Sequence, residues 1–329
     1  MQPHVWQILL KAELSLIEEN KMLGFGKNKK NHLLSLLPEV RGKYLCNEPL
    51  SKHTWFGVGG PAEIMYYPED NDDLSWFLKA KPYNLPICII GGGSNLLVRD
   101  GGIPGVVIKL DSKFYKKWQI NENEITCGTG IRNVQLKKIM TENNIGGLEF
   151  LTSIPGHLGG AVKTNAGCFG KELKDVLIKA TVVNGNGEVL EIPAKDLSLS
   201  YRNSLFPDDW IITSLTLKII PQPAEETLKI INEQKNYRLR TQPHNVKTAG
   251  STFKNPEGLK AWELIQKSGC AEMQINGAKV SEKHCNFLVN TGNATAQDIE
   301  TLGENIIAKV KSATSITLEW EVKRMGINK

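Results

Sequence analysis

Three stretches of the chain place side chains and backbone where chemistry could be done. In Ile89-Ile90-Gly91-Gly92-Gly93-Ser94-Asn95-Leu96-Leu97 an apolar strand runs straight into three glycines. Glycine exposes backbone N–H groups with no Cβ in the way, and Ser94 and Asn95 add donors, so the turn can cradle a phosphate or pyrophosphate. A plain structural turn is the alternative, and it would need fewer glycines. The second stretch runs from Gly147-Leu148-Glu149-Phe150 through Ile154-Pro155-Gly156-His157-Leu158-Gly159-Gly160-Ala161 to Asn165-Ala166-Gly167. Here the backbone must pass very close to a flat partner. His157 inside it invites a role as base or covalent anchor, although a lone loop histidine is more often solvated or hydrogen-bonded. The third constellation is scattered: Tyr201-Arg202-Asn203-Ser204, Ala249-Gly250-Ser251-Thr252-Phe253-Lys254-Asn255-Pro256 and Glu319-Trp320-Glu321-Val322. Taken singly these are weak signals, with Arg202 as a surface cation and Glu321 as a solvated strand residue the default reading.

The letters exclude the common nucleotide-binding fingerprints. Position 96 is Leu where G-x-G-x-x-G needs glycine, Gly128-Thr129-Gly130 is followed by Ile131, Arg132 and Asn133, and no Walker A sequence occurs. The six cysteines, Cys46, Cys88, Cys127, Cys168, Cys270 and Cys285, lie far apart without zinc-ligand spacing, so no metal site is expected and the scattered thiols suggest a reducing cytoplasm. Forty basic against 35 acidic residues give a net charge of +5, mostly interspersed. The basic stretches 27–30, 113–117 and 235–247 lack the aromatic platforms of single-strand nucleic-acid binders. No apolar run approaches the ~18 residues of a membrane span, and Lys11, Glu13, Glu18 and Glu19 interrupt the N-terminal apolar pattern. A soluble cytoplasmic protein with neither nucleic-acid nor membrane partners is expected, and a monomer is favoured.

The elements that must position these residues can be read from periodicity. The chain of 329 residues holds 30 glycines, 3 of them in residues 1–56, 20 in 57–187 and 7 in 188–329. Residues 4–22 read as an amphipathic helix, an appendage before a Lys/Asn-rich break. Short apolar runs closed by glycine follow at 63–67, 86–90, 105–110, 124–127, 177–183, 188–192 and 210–219. Helices are expected over 70–80 and 132–144, giving an α+β order, and later over 225–240, 258–267 and 295–312. The strict alternation of residues 315–323 predicts a strand with Ile316, Leu318, Trp320 and Val322 on one face and Glu319 and Glu321 on the other. The proline pair at Pro221 and Pro223 reads as the boundary of a C-terminal domain.

Taken in order, Gly57-Val58-Gly59-Gly60-Pro61-Ala62, the Gly-Gly-Gly-Ser-Asn turn, the Ile-Pro-Gly stretch with Asn165-Ala166-Gly167, Tyr-Arg-Asn-Ser, Gly-Ser-Thr-Phe-Lys-Asn-Pro and the final Leu-Glu-Trp-Glu-Val closely resemble the UDP-N-acetylenolpyruvoylglucosamine reductase (MurB) family. The resemblance covers roughly residues 50–326. It implies an FAD-binding fold of the vanillyl-alcohol-oxidase (PCMH) type in two α+β subdomains, residues 50–110 and 111–223. An N-terminal helical extension, 1–49, precedes them and a C-terminal α+β substrate domain, 224–329, follows. Only 48 residues separate Arg202 from Ser251 and 69 separate Ser251 from Glu321, which looks like the shorter second type of the family.

The implied activity is UDP-N-acetylmuramate dehydrogenase: NADPH reduces non-covalently bound FAD, and the flavin then delivers hydride to the enolpyruvyl group of a nucleotide-sugar. By resemblance Arg202, Ser251 and Glu321 are catalytic; Arg202 polarises the substrate carboxylate, Ser251 donates the proton and Glu321 assists. The same resemblance makes Gly91, Gly92, Gly93, Ser94, Asn95, Leu96, Ile154, Pro155, Gly156, Gly159, Gly160 and Asn165 cofactor contacts. Tyr201, Arg202, Gly250 and Asn255 become substrate contacts. Where the family often has lysine this chain has Thr241, so the diphosphate falls to Arg238, Arg240 or Lys247. The alternatives are another FAD oxidoreductase of this fold, acting on an alcohol or hydroxy acid, and a silent flavin or nucleotide-sugar binder.

Overall fold

The apolar runs form two main sheets. The computed structural model describes residues 29–329, so the helix expected over residues 4–22 lies outside the described residues. In the first sheet the strands Lys43–Pro49, Pro61–Tyr67, Ile103–Ile108 and Ile87–Ile89 lie in that order, the first pair antiparallel and the others parallel. Ile64 and Tyr66 point into a cluster with Leu74 and Phe77 of the helix Asn71–Ala80, while Met65 points the other way, toward Leu50, Ile90 and Val107. Asp70 caps that helix by accepting from the Asp73 N–H at 3.0 Å, which sets its start. Lys43–Pro49 corrects the expectation of a helical extension up to residue 49: its end is an edge strand.

The second sheet is antiparallel throughout, in the order Val189–Pro193, Leu177–Val183, Ile211–Lys218, Glu124–Gly128 and Trp118–Asn121. Its central strand Ile211–Lys218 is buried along nearly its whole length, Thr213 and Thr216 included, as a strand covered on both faces is. The short helices Leu136–Glu142, Glu149–Thr152 and Leu158–Lys163 pack on it, and Ile231 of the helix Ala224–Thr241 joins the same core. That helix therefore belongs with this sheet, although it follows the proline pair.

The C-terminal part wraps the helices Ala261–Lys267 and Ala296–Thr314 over a small sheet of Gln274–Ile275, Ala278–Val280 and Leu288–Asn290. Thr295 and Asp298 form a reciprocal capping box, and Ile299, Leu302, Ile306 and Val310 make the buried stripe. The expected strand over 315–323 is corrected. The burial alternation is real, with Leu318 and Val322 each 2% exposed, but ladder pairing is confined to Lys323–Met325 beside Leu96–Val98 and to one bridge between Trp320 and Phe253. The chain thus returns from the C-terminal part to the strand that follows the Gly-Gly-Gly-Ser-Asn turn. No helix among the described residues is long and apolar enough to cross a membrane.

Candidate active site

The two glycine-rich stretches face each other. A Cβ on Gly92 would stand 2.9 Å from the Gly156 Cα, and one on Gly156 would stand 2.6 Å from the Ser94 Oγ. The Ser94 hydroxyl donates to the Pro155 carbonyl at 3.1 Å, tying the two walls together. Gly93, at φ 66°, backs onto the loop before it, so that a Cβ there would fall 1.8 Å from the His53 carbonyl oxygen. Gly160 differs: a Cβ there meets nothing within 4 Å.

Between and beyond these walls lies a cavity of about 1230 Å³ lined by Gly91 to Leu96, Ile154 to His157, Gly159 and Gly160. That exceeds the ~300–1,000 Å³ of a usual small-ligand pocket, so the cavity has room for a dinucleotide and a second ligand. Bare backbone on two facing walls is what a flat ring and a pyrophosphate require, and these residues fit a flavin.

The scattered third constellation converges on the same cavity. Arg202 sits at the turn of the hairpin Leu199–Ser200 and Asn203–Ser204, at φ 53°, a conformation rare for a side chain of this size. Its Nε lies 2.9 Å from Glu321 Oε1 and its Nη2 donates to the Gly167 carbonyl at 3.1 Å. The Nε–H is buried without a well-aligned acceptor, so the contact with Glu321 is an ion pair that leaves directional bonding capacity unused.

Glu321 is fixed through its backbone: its N–H donates to the Thr252 carbonyl at 2.8 Å, and its carbonyl accepts from Asn95 Nδ2 at 3.2 Å. Ser251 precedes Thr252, lines the cavity, and its hydroxyl makes no hydrogen bond to other described residues. Gly250 supplies the φ of 85° that turns the chain toward it. Burial raises the Glu321 carboxyl above its ordinary value of 4.5, against the pull of Arg202 and Lys254.

His157 also lines the cavity. Burial, aided by the nearby Lys109 charge, lowers it to about 4, so it is neutral at pH 7.

Three expected contacts lie outside the lining. Asn165 is fully buried; its side-chain amide donates to Glu172 and to the Ser200 carbonyl and accepts from the Lys174 N–H. Those bonds tie the hairpin at Gly167–Cys168 to the hairpin that carries Arg202, so Asn165 braces the site from behind. Tyr201 is 50% exposed, with its ring 5.3 Å from the Arg202 guanidinium carbon. Asn255 accepts from the Ala261 N–H at the start of a helix. Of the three cations considered for a diphosphate, Arg238 and Arg240 line the cavity, whereas the Lys247 side chain packs against Gly57.

The sequence reading missed Phe169 and Tyr237, which line the cavity with their rings 5.7 Å apart. The signal for Phe169 was the Gly170 that follows it at a two-residue hairpin turn.

Comparison with known proteins bears on the same residues. Residues 62–193 match the family described as FAD binding domain, and residues 242–325 match UDP-N-acetylenolpyruvoylglucosamine reductase, C-terminal domain. The UDP-N-acetylenolpyruvoylglucosamine reductase of Parvibaculum lavamentivorans is 46% identical over 297 residues, 90% of this chain and 96% of the relative. The protein of that name from a Bradyrhizobium species is 44% identical over 295 residues, again 90% of this chain and 96% of the relative. Among solved structures, UDP-N-acetylenolpyruvylglucosamine reductase (MurB) from Thermus caldophilus superposes with a TM-score of 0.75 at 32% identity, covering 88% of this chain and all of its own.

Proposed function

We propose that this chain, which belongs to the UDP-N-acetylenolpyruvoylglucosamine reductase family, reduces the enolpyruvyl double bond of UDP-N-acetylglucosamine enolpyruvate to give UDP-N-acetylmuramate, through the three side chains Arg202, Ser251 and Glu321. With membership comes the fold: α+β, an FAD-binding fold of the vanillyl-alcohol-oxidase type followed by the C-terminal domain of the family. FAD is the cofactor and NADPH the hydride donor. The observation that carries the residue assignment is the convergence of Arg202, Ser251 and Glu321 on a cavity whose other walls are the two glycine stretches.

Gly91 to Gly93 and Gly156 to Gly160 would hold FAD, which when bound supplies the hydride it has taken from NADPH. The Arg202 fork grips the substrate carboxylate, and Glu321 and the Gly167 carbonyl keep it aimed. Reduction at the terminal carbon leaves negative charge on the carbon next to that carboxylate, where Arg202 spreads it onto the carboxylate oxygens as an enolate. The unengaged Ser251 hydroxyl gives its proton to that carbon, since an enolate is basic enough to take it at hydrogen-bond distance. Glu321 assists from the same side. We place the reaction in the cytoplasm; support comes from the six cysteines, all free.

Anaerobic stopped-flow mixing of the reduced enzyme with UDP-N-acetylglucosamine enolpyruvate, simple enones and hydroxy acids tests the reading. Fast reoxidation by the nucleotide-sugar alone is expected; equal rates with a simple enone would overturn it.

A further inference from the structure

Next to the Gly91–Gly93 turn, outside the cavity lining, three ionisable side chains from three elements join in a chain of hydrogen bonds. Lys109 directly follows the strand Ile103–Ile108, and its ammonium donates to His53 Nδ1 at 3.0 Å. An ammonium can only donate, so Nδ1 accepts and the ring proton sits on Nε2, where it donates to Glu48 Oε1 at 3.0 Å. Glu48 belongs to the edge strand Lys43–Pro49, and His53 follows the single turn Leu50–Lys52.

This chain of bonds ends against the glycine turn. The His53 carbonyl is the group a Cβ on Gly93 would strike, and the Trp55 N–H donates to the Gly93 carbonyl at 3.0 Å. On the other flank a Cβ on Gly92 would stand 3.2 Å from His157 Cδ2, and the His157 ring feels the Lys109 charge. Lys109 therefore neighbours both histidines that flank the turn, one accepting from it and the other neutral at pH 7. Burial lowers the ammonium below its ordinary 10.5; Asp111 and Glu48 oppose that, and Lys116 adds to it. Asp111 is itself held by Lys116 at 2.7 Å and Glu48 by His53, so no carboxylate pairs directly with Lys109 among the described residues. A half-buried cation whose bonded partner is a neutral nitrogen is left under-compensated until an anion arrives.

We propose that Lys109, steered by His53 and Glu48, supplies the counter-charge for the FAD diphosphate at the Gly91–Gly93 turn. The inference rests on the reading that these glycines hold FAD, and it adds the full charge that glycine lacks. Backbone N–H groups present partial charges only, whereas an ammonium held outside the lining, in a medium of low dielectric, attracts both phosphates without occupying the cavity. His53 and Glu48 are positioning residues: the carboxylate fixes the ring, and the ring fixes the ammonium. The sign of the pH dependence follows. A bound diphosphate holds on Lys109 a proton that the flavin-free protein gives up more readily, so FAD affinity falls as the pH rises.

The test uses the full chain stripped of FAD and titrated with it. Lys109→Met keeps the apolar stem and removes the charge, and its Kd for FAD should rise roughly ten- to hundredfold. ADP should bind the flavin-free wild type more tightly than adenosine does, and Lys109→Met should cancel most of that advantage. Lys109→Arg, charged at every pH used, should bind FAD about as well as wild type at pH 7.5 and hold that affinity at pH 9.5, where wild type weakens. His53→Gln, which can accept from Lys109 and donate to Glu48, should resemble wild type, and His53→Leu should resemble Lys109→Met. Unchanged FAD affinity in Lys109→Met, or equal losses of ADP and adenosine binding, overturns the counter-charge. If ADP shows no advantage over adenosine on the wild-type protein, the diphosphate does not lie at the turn, and the underlying reading falls instead.

Discussion

Arg202 and Glu321 stand 2.9 Å apart at the cavity wall, although one comes from a hairpin turn and the other from the segment that returns to pair with the strand Leu96–Val98. The guanidinium has three demands on it: Glu321, the Gly167 carbonyl and the substrate carboxylate. A planar fork can meet them together and a point charge cannot. Arg202→Lys should therefore slow reoxidation of the reduced flavin by the nucleotide-sugar by about 10²–10³-fold, while leaving flavin reduction by NADPH nearly unchanged. Stopped-flow measurement of the two half-reactions separately checks this; near-normal reoxidation would remove Arg202 from the chemistry.

Ser251 makes the complementary case. Its hydroxyl makes no hydrogen bond to other described residues, in a cavity where the backbones of Glu321 and Thr252 are firmly held. Ser251→Ala removes the proton source without disturbing those bonds, so reoxidation should fall by roughly 10²–10⁴-fold and the thermal midpoint should stay within a degree or so of wild type. Equal losses in both half-reactions would argue for a binding role instead.

Much of this arrangement can be read from the chain itself, and the exceptions have physical causes. Leu177–Val183 and the helix expected over 295–312 announce themselves because local pattern and tertiary burial agree there. Lys43–Pro49 is hidden because Asn47, Glu48 and Pro49 dilute its alternation; it is a strand because Pro61–Tyr67 offers an edge. Residues 315–323 show the opposite failure. Their alternation reflects true burial, yet the backbone of Glu321 and Lys323 bonds to Thr252 and Asn95, partners no periodicity can foresee. Asn165 lies in a glycine-rich motif, and only its three hydrogen bonds reveal that it braces two hairpins from behind. Phe169 is concealed by its own residue type, since the expected turn signal is Asn-Gly.

The glycines of the two walls are not equivalent, which allows cofactor binding to be separated from folding. A Cβ on Gly93 would collide with the His53 carbonyl and would also sit at φ 66°. Gly93→Ala should lower the yield of folded protein. Gly160 lies in the helix Leu158–Lys163 with open space ahead of it, so Gly160→Ala should leave the flavin-free protein as stable as wild type or up to about 1 kcal/mol more stable. If FAD lies against this wall, the same methyl should weaken its retention. Flavin absorbance after gel filtration, with thermal unfolding of the apoprotein, checks both arms; full retention would move the flavin away from Gly160.

Two carboxylates tie the C-terminal part to the segment that follows the strand Leu96–Val98: Asp100 accepts from the Ala296 and Gln297 N–H groups, and Glu300 reaches back to Arg99. Glu300, 9% exposed, accepts from Arg99 at 2.9 and 2.8 Å and from Arg324 at 3.0 Å. Removing it takes the carboxylate partner from Arg99, whereas Arg324 keeps Glu304 at 2.6 Å, and both side chains, 29% and 30% exposed, retain some water. Glu300→Ala should destabilise the protein by about 2 kcal/mol, less than the ~3–5 kcal/mol of a fully buried pair, and Glu300→Gln by less. Urea unfolding curves provide the measurement, and a change below about 0.5 kcal/mol would show that the Glu300 pairs do not join the parts.

His157 gives the fold a pH dependence of predictable sign. Burial holds it neutral and lowers it to about 4 from an ordinary 6.5, with the Lys109 charge adding to the effect. Above pH 6.5 both folded and unfolded chains carry the neutral ring, and the residue leaves stability unaffected. As pH falls through 6.5 the unfolded chain takes up a proton that the folded chain refuses until about pH 4, so stability declines across that window. His157→Gln fills similar space without titrating. Between pH 7 and pH 5 the thermal midpoint of wild type should therefore fall more steeply than that of His157→Gln, and parallel curves would show that the ring is solvated and titrates normally.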